Sequence, residues 1–425
     1  MRSAVDCVRS RVGGGGLVHA PGRALVLVLL SFGVAVAPAS GAGSAGARRE
    51  TAAGVKVIAL AGGLYHSLAL TSSGSVFAWG WNMTGQLGNG SIIGSDVPVK
   101  VRLPGGTRAI AVAAGFAHSV ALTSKGAALT WGKNNGGELG NGTNTDSAVV
   151  VKANLPAGTK VTAVAASEHN LALTSTGALI AWGEGQFGEL GNGGTGSSSA
   201  PVNVSLPTGT KVTAVAVGAW HSLALTSTGR VLAWGFNKDG ELGDGNRTNT
   251  DAPVAVKLPA GTKVVAVAAA GFLSLALTST GAVLAWGYNG DGELGDGNRK
   301  SSDVPVKVKL PPHTKVTSIA AGGYLSEVGA YVGGPGHGLA LTSTGAVLAW
   351  GYNGNGELGN GSTKNSEVPV KVKLPGPVKA VAAGTLQSMA LTRSGAVLAW
   401  GGNNFGQLGD GNYAASDVPV RVNVP

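Results

Sequence analysis

Apolar and polar residues alternate in short runs along most of the chain, and no stretch beyond the first fifty residues reads as a capped amphipathic helix. Four runs recur in fixed order: a Val-Ala alternation (KVxAVAAG), HSLALTSTG, AVLAWG and, after NxxGELGxG and a variable polar stretch, VPVKVKLP. Each of the four has strand character, with side chains pointing to opposite faces at period two. The STG between the second and third predicts a tight hairpin, its glycine supplying a positive φ. Each unit is thus a four-stranded antiparallel meander. In PVKVKLP, as at Val306, Lys307, Val308 and Lys309, valines face one way and lysines the other. Lysine and proline discourage pairing with another chain, so these segments are expected at the outer rim.

The unit is counted by its WG dipeptide, at Trp79, Trp131, Trp182, Trp234, Trp286, Trp350 and Trp400, with intervals of 52, 51, 52, 52, 64 and 50 residues. A period near fifty signals radial or solenoid repetition. One small sheet cannot cover both of its apolar faces, whereas neighbouring sheets in a ring can. The fold class expected is therefore all-β, a seven-bladed β-propeller over residues 55–425, with its first strand from Val55 to Ala61. The final PVRVNVP either completes its own blade or closes the ring against the first.

Composition agrees: 72 glycines and only 12% charged residues suit short strands and tight turns. The first fifty residues differ. Arg2, Arg9, Arg11 and Arg23 precede the apolar run Ala24 to Ala37, and an Ala-x-Ala site spans Ala37 to Ala39. Residues 1–39 are expected to be a secretory signal and 40–54 a flexible linker, which makes the mature chain secreted or associated with the cell envelope. The apolar run is short for a membrane span. The one cysteine, Cys7, falls in this leader, which excludes disulfides, thiolate metal sites and a cysteine nucleophile from a processed chain. Net charge is +10 for the whole sequence, and a mildly basic mature chain permits acidic partners without requiring them.

HSLALT, G-x-V-x-x-WG and N-x-x-GELG or GQLG, seven times over from about Val55 to Pro425, resemble the regulator-of-chromosome-condensation repeat family. The resemblance implies a seven-bladed propeller used as an interaction platform, and with the leader it implies an exported, bacterial member. The family's eukaryotic founder exchanges nucleotide on a small GTPase while bound to chromatin; an exported chain would meet neither partner.

Loop WGYNGDGELGDGN (286–298) tests whether the unit carries chemistry. Its acids and glycines could wrap a hard cation. Across the seven copies glycine fills the sixth, ninth and eleventh places after the tryptophan and leucine the eighth, but the acid of Asp239 and Asp291 becomes Thr84, Gly136, Phe187, Asn355 or Phe405. Turn chemistry is expected, with Asn and Asp bonding back to the chain. A weak cation site restricted to Asp239, Asp244, Asp291 and Asp296 is the alternative, and no cofactor is expected.

His66, His118, His169, His221 and His337 open the second strand, where the other two units have Leu273 and Gln387. Five equivalents argue against one catalytic histidine. Each is expected partly buried and bonded to a loop carbonyl; a ring of pH-sensitive groups lining a mouth is the alternative. The serines that follow them point to the opposite strand face and form no direct pair. The WG tryptophans are expected between blades, whereas the non-recurring Trp81 and Trp220 are candidates for an exposed contact or a sugar-stacking platform.

The 64-residue interval contains an insertion within Tyr324 to Gly338, carrying Tyr324, Glu327 and Tyr331. In a meander the first-to-second and third-to-fourth connections share a face, so insertion, histidine loops and GELGxG loops crowd one side. The short turns with Lys160, Lys211, Lys263 and Lys315 occupy the other. The expected function is a monomeric, non-enzymatic module binding a protein or glycan through its loop-rich face. Nucleotide exchange on a GTPase and action on polysaccharide are the alternatives; the latter needs a non-repeated acid-base cluster that the sequence lacks. Nucleic-acid binding is disfavoured because the lysine face has no interleaved aromatics.

Overall fold

A computed structural model describes residues 55–323 and 334–425. The segments expected to be a leader (1–39) and a linker (40–54) lie outside the described residues. Among the described residues there are twenty-eight strands and no helix, grouped as seven four-stranded antiparallel sheets. Blade 1 comprises β1 (Val57–Gly62), β2 (His66–Thr71), β3 (Val76–Gly80) and β4 (Ser95–Lys100), ordered as in sequence. The other blades repeat it, ending with blade 7: β25 (Val378–Ala383), β26 (Gln387–Thr392), β27 (Val397–Gly401) and β28 (Ser416–Arg421). The expected seven-bladed propeller is the observed fold, and no helix long and apolar enough to cross a membrane occurs among the described residues.

The last strand pairs with β27, so it completes its own blade, and among the described residues no strand is exchanged across the ring. Blade 7 meets blade 1 without such a clasp. The inner strands are alanine-rich because they crowd the axis: a Cβ at Gly62 would come within 2.5 Å of the Gly384 nitrogen of blade 7. Burial falls outward from β1, buried except at Ile58, and β2, fully buried, to β4, half exposed. The first strand begins at Val57 rather than Val55, and the fourth runs Ser95–Lys100, further toward the N-terminus than the PVKVKL segment. A bulge explains the latter, since the register shifts between Ala78 and Gly80 and brings Ser95 opposite Gly80. The Val-in, Lys-out alternation persists past the strand, with Val308 buried and Lys307 and Lys309 exposed.

Candidate interaction face

The GELG loop works as turn chemistry and also as a latch. Asn289 accepts the Leu294 amide on its Oδ1 at 2.9 Å, and its Nδ2 donates to the Asn298 and Lys300 carbonyls. Gly292, Gly295 and Gly297 all take positive φ, as the turns require. Glu293 accepts the Asp291 amide at 2.8 Å. Its backbone carbonyl accepts the indole N–H of Trp350, in the next blade, at 2.8 Å. The same latch joins every pair of blades: at the first joint the Gln86 carbonyl takes Trp131 Nε1 and Ser119 Oγ, and at the closing joint Gln407 takes Trp79 Nε1 and Ser67 Oγ. The ring therefore closes with the bonds that hold its other joints.

Burial corrects the expectations for the histidines. All five rings are fully buried, so they line no mouth and touch no partner. Nor do they bond a loop carbonyl. His66 Nε2 lies 2.9 Å from Ser119 Oγ of the next blade, and His169 and His221 meet Ser222 and Ser274 likewise. Each serine gives its one hydrogen to the latch carbonyl, so each histidine donates to it through Nε2–H. His118 uses Asn170 in this way, and His337 uses Ser388. Burial holds His66, His169 and His221 down to about 3 and His337 to about 4. These neutral rings paired with proton-donating serines offer no activated nucleophile.

The aspartate candidates do not converge. Asp244 and Asp296 accept from Asn246 and Asn298 inside their own turns. Asp291 accepts from Asn365, and Asp239 faces Arg247 at 3.9 Å. Among the described residues no group of three His, Cys, Asp or Glu is placed to hold a metal ion. Burial raises Glu189 to about 7 and Glu241 and Glu293 to about 8, which favours the protonated carboxyl well above the usual carboxylate range.

What varies between blades gathers on the loop-rich face. Three places face one another across a joint: the fifth residue after the tryptophan of one blade, and the residues before the histidine and after the WG of the next; at two joints all three are aromatic. At joint 7/1 these are Phe405, Tyr65 and Trp81, with Tyr65 and Phe405 ring centroids 4.6 Å apart. At joint 3/4 they are Phe187, Trp220 and Phe236, joined by Phe272 from blade 5. Between these, Lys133 lies 3.0 Å from both Glu138 and Glu168. Trp81 and Trp220 are thus both half-buried but differently surrounded. Sequence reasoning passed over their partners Tyr65, Phe405, Phe187, Phe236 and Phe272, although laying the joints over one another finds them. Tyr324, Glu327 and Tyr331 of the insertion lie outside the described residues.

The opposite face holds grooves between the short turn and the chain leaving the fourth strand. One of about 600 Å³ is lined by Thr280, Lys307, Lys309 and His313. Equivalent grooves recur in blades 1 and 6, which marks them as architecture.

A model of the RCC1-like domain matches residues 30–328, and regulator of chromosome condensation (RCC1) repeats match 344–391 and 394–425. The chain belongs to the RCC1-like domain family. It is 31% identical over 318 residues to the ultraviolet-B receptor UVR8 of Arabidopsis thaliana, covering 74% of this chain and 70% of the receptor. It is 36% identical over 271 residues to human E3 ubiquitin-protein ligase HERC2, covering 63% of this chain and 6% of the ligase. Yeast Prp20p, whose crystal structure was described with its binding to Gsp1p and histones, superimposes at a TM-score of 0.72 with 24% identity, over 85% of this chain and 87% of its own. That likeness carries the fold. These relatives are eukaryotic, and none supports the expectation of a bacterial, exported member.

Proposed function

We propose that this RCC1-like propeller is a non-enzymatic interaction module that binds a protein partner through its loop-rich face. One observation carries the reading: the recurring Trp, His, Ser and GELG groups are occupied by joints inside the ring, whereas the residues that change from blade to blade meet at that face. Recurrence builds the scaffold, and the exceptions are left to recognise. Export through residues 1–39 belongs to the same proposal, and cell fractionation that finds mature chain in the cytoplasm would remove it. The insertion carrying Tyr324, Glu327 and Tyr331 is proposed to contribute.

The test is an array of proteins and glycans probed with the intact chain, with a chain lacking Leu325 to Gly336, and with Lys160→Ala/Lys211→Ala on the short-turn face. A protein binder lost with the insertion, or kept by the lysine variant, supports the reading. Binding lost only in the lysine variant contradicts it, and a glycan-only result replaces the partner class. Nucleotide exchange on a GTPase is the second reading, favoured by the family. Release of labelled GDP from Gsp1p, measured with and without the chain, tests it.

A further inference from the structure

Most exposed large apolar side chains of a propeller lie on its outer strands, and here Val97, Val149, Val304, Val368 and Val418 do so. Apart from Val55 at the start of the described chain, the others among the described residues stand on two loops. Blade 1's loop carries Met83, Ile92 and Ile93, the first and last 71% and 76% exposed; blade 7's carries Phe405 and Tyr413. Both are third-to-fourth connections on the loop-rich face. They are tied together where Phe405 meets Trp81 at 6.3 Å between centroids, and where Gly411 of one donates to the Asp96 carbonyl at the end of the other.

Charge is arranged to match. In blade 5 the thirteenth residue after the tryptophan is Arg299, whose Nε donates at 2.8 Å to Glu367, second residue of the next blade's outer strand. At joint 7/1 the same two places hold Tyr413 and Asp96. The arginine is gone and the acid remains, with no ion pair among the described residues. No Lys, Arg or His occurs from Trp81 to Asp96 or from Gly401 to Asp417, whereas Lys133, Arg247, Arg299 and Lys364 stand on the loops of blades 2, 4, 5 and 6. Asp410 adds a second acid beside Tyr413. In a chain of net charge +10 these two loops carry apolar side chains and acids and no base of their own; the guanidinium that reaches them, Arg102, comes from the chain leaving blade 1's outer strand and lies against Gly90.

We propose that joint 7/1 docks a protein segment presenting large apolar side chains next to lysine or arginine. Met83, Ile92, Ile93, Phe405 and Tyr413 supply the apolar surface, and Asp96 and Asp410 attract the basic flank. A mixed edge of rings and aliphatic chains anchors Leu, Phe or Trp, and the acids steer and orient the segment. This rests on the loop-face reading.

The test uses labelled synthetic dodecapeptides with two or three Leu, Phe or Trp residues flanked by Lys/Arg, by Asp/Glu or by Ser, titrated against the full chain by fluorescence anisotropy. The base-flanked set is expected to bind at least about tenfold more tightly than the acid-flanked set, with affinity falling as salt rises. Met83→Ser/Ile93→Ser, both on solvent-facing tips, is expected to weaken it about tenfold, and Asp96→Asn about threefold with a flatter salt dependence. Circular dichroism and melting of each variant confirm that the ring is intact. Arg299→Ala, on the same face but away from the joint, is expected to leave binding unchanged. Equal binding of acid-flanked peptides, no peptide binding, or oligosaccharide binding lost with Phe405→Ala would overturn the proposal. So would a dimer in sedimentation that Ile93→Ser dissolves. Loss through Arg299→Ala with the joint variants silent overturns the joint but keeps the loop face; loss only through Lys211→Ala overturns both.

Discussion

Two aromatic clusters occupy equivalent places on one face, three blades apart, with opposite consequences. At joint 3/4, Phe187, Trp220 and Phe236 are roofed by Phe272, and Phe236 and Phe272 are only 3% and 6% exposed. At joint 7/1 the place of Phe272 in the following blade is Ala117, and Phe405 stays 37% exposed between loops carrying Met83, Ile93 and Tyr413. The same residue types at the same positions thus serve packing in one case and an open contact surface in the other. The neighbouring blade decides which. An aromatic residue in a repeat protein is therefore read with the residue one repeat further on.

Beneath both clusters lies the same latch, and its removal has the largest effect. Trp79→Ala and Trp234→Ala are each expected to lose about 3–5 kcal/mol of stability through the cavity and the abandoned carbonyl, measured by urea unfolding. Equal losses at the two joints would show that the unclasped closure is as firm as the rest; a far smaller loss for Trp79→Ala would show a loose seam. Next comes the contrast itself. Phe236→Ala is expected to cost about 3 kcal/mol without altering partner binding, and Phe405→Ala about 1 kcal/mol or less while weakening it. Reversed results would exchange the roles of the two clusters.

A smaller effect separates the buried acids from the histidines. Glu241 is raised from 4.5 to about 8, so the folded chain holds an extra proton between those values and stability falls as pH rises through that window. The histidines act oppositely. Held near 3 to 4 against 6.5 when unfolded, they add stability as pH rises across that interval and lose it as pH falls. The melting temperature is expected to peak near about pH 6. Glu241→Gln, which installs the amide that Gln86 and Gln407 already carry at this position, should melt above the parent at pH 8 and close to it at pH 5. A lower melting point at pH 8 would mean that the folded carboxylate is ionised and well partnered. Smallest of all, Ile93→Ser should change stability by less than about 0.5 kcal/mol.

The strands, the blade number, the turn glycines and the interblade tryptophans were legible because each rests on local pattern repeated seven times. What escaped notice was contact across a repeat. His66 and Ser119 are 53 residues apart, so the argument that neighbouring His and Ser diverge was right within a strand and silent about the next blade. A signal existed: Leu273 replaces histidine in blade 5, and the matching serine position in blade 6 is Gly338, so both halves of that bond vanish together. The different surroundings of Trp81 and Trp220 were illegible for the same reason, since what covers each cluster is supplied by another blade. Closure by a self-contained last blade depends on register, which the bulge between Ser95 and Val99 and its counterparts shifts.

The central claim is that recurring residues build the ring and the exceptions at one joint recognise. Hydrogen exchange of the intact chain with and without a base-flanked apolar peptide tests it most directly. Protection is expected in residues 81–94 and 402–415, with the inner strands unchanged. Protection spread evenly over all seven loops, or centred on the turns at Lys160 and Lys211, would contradict it.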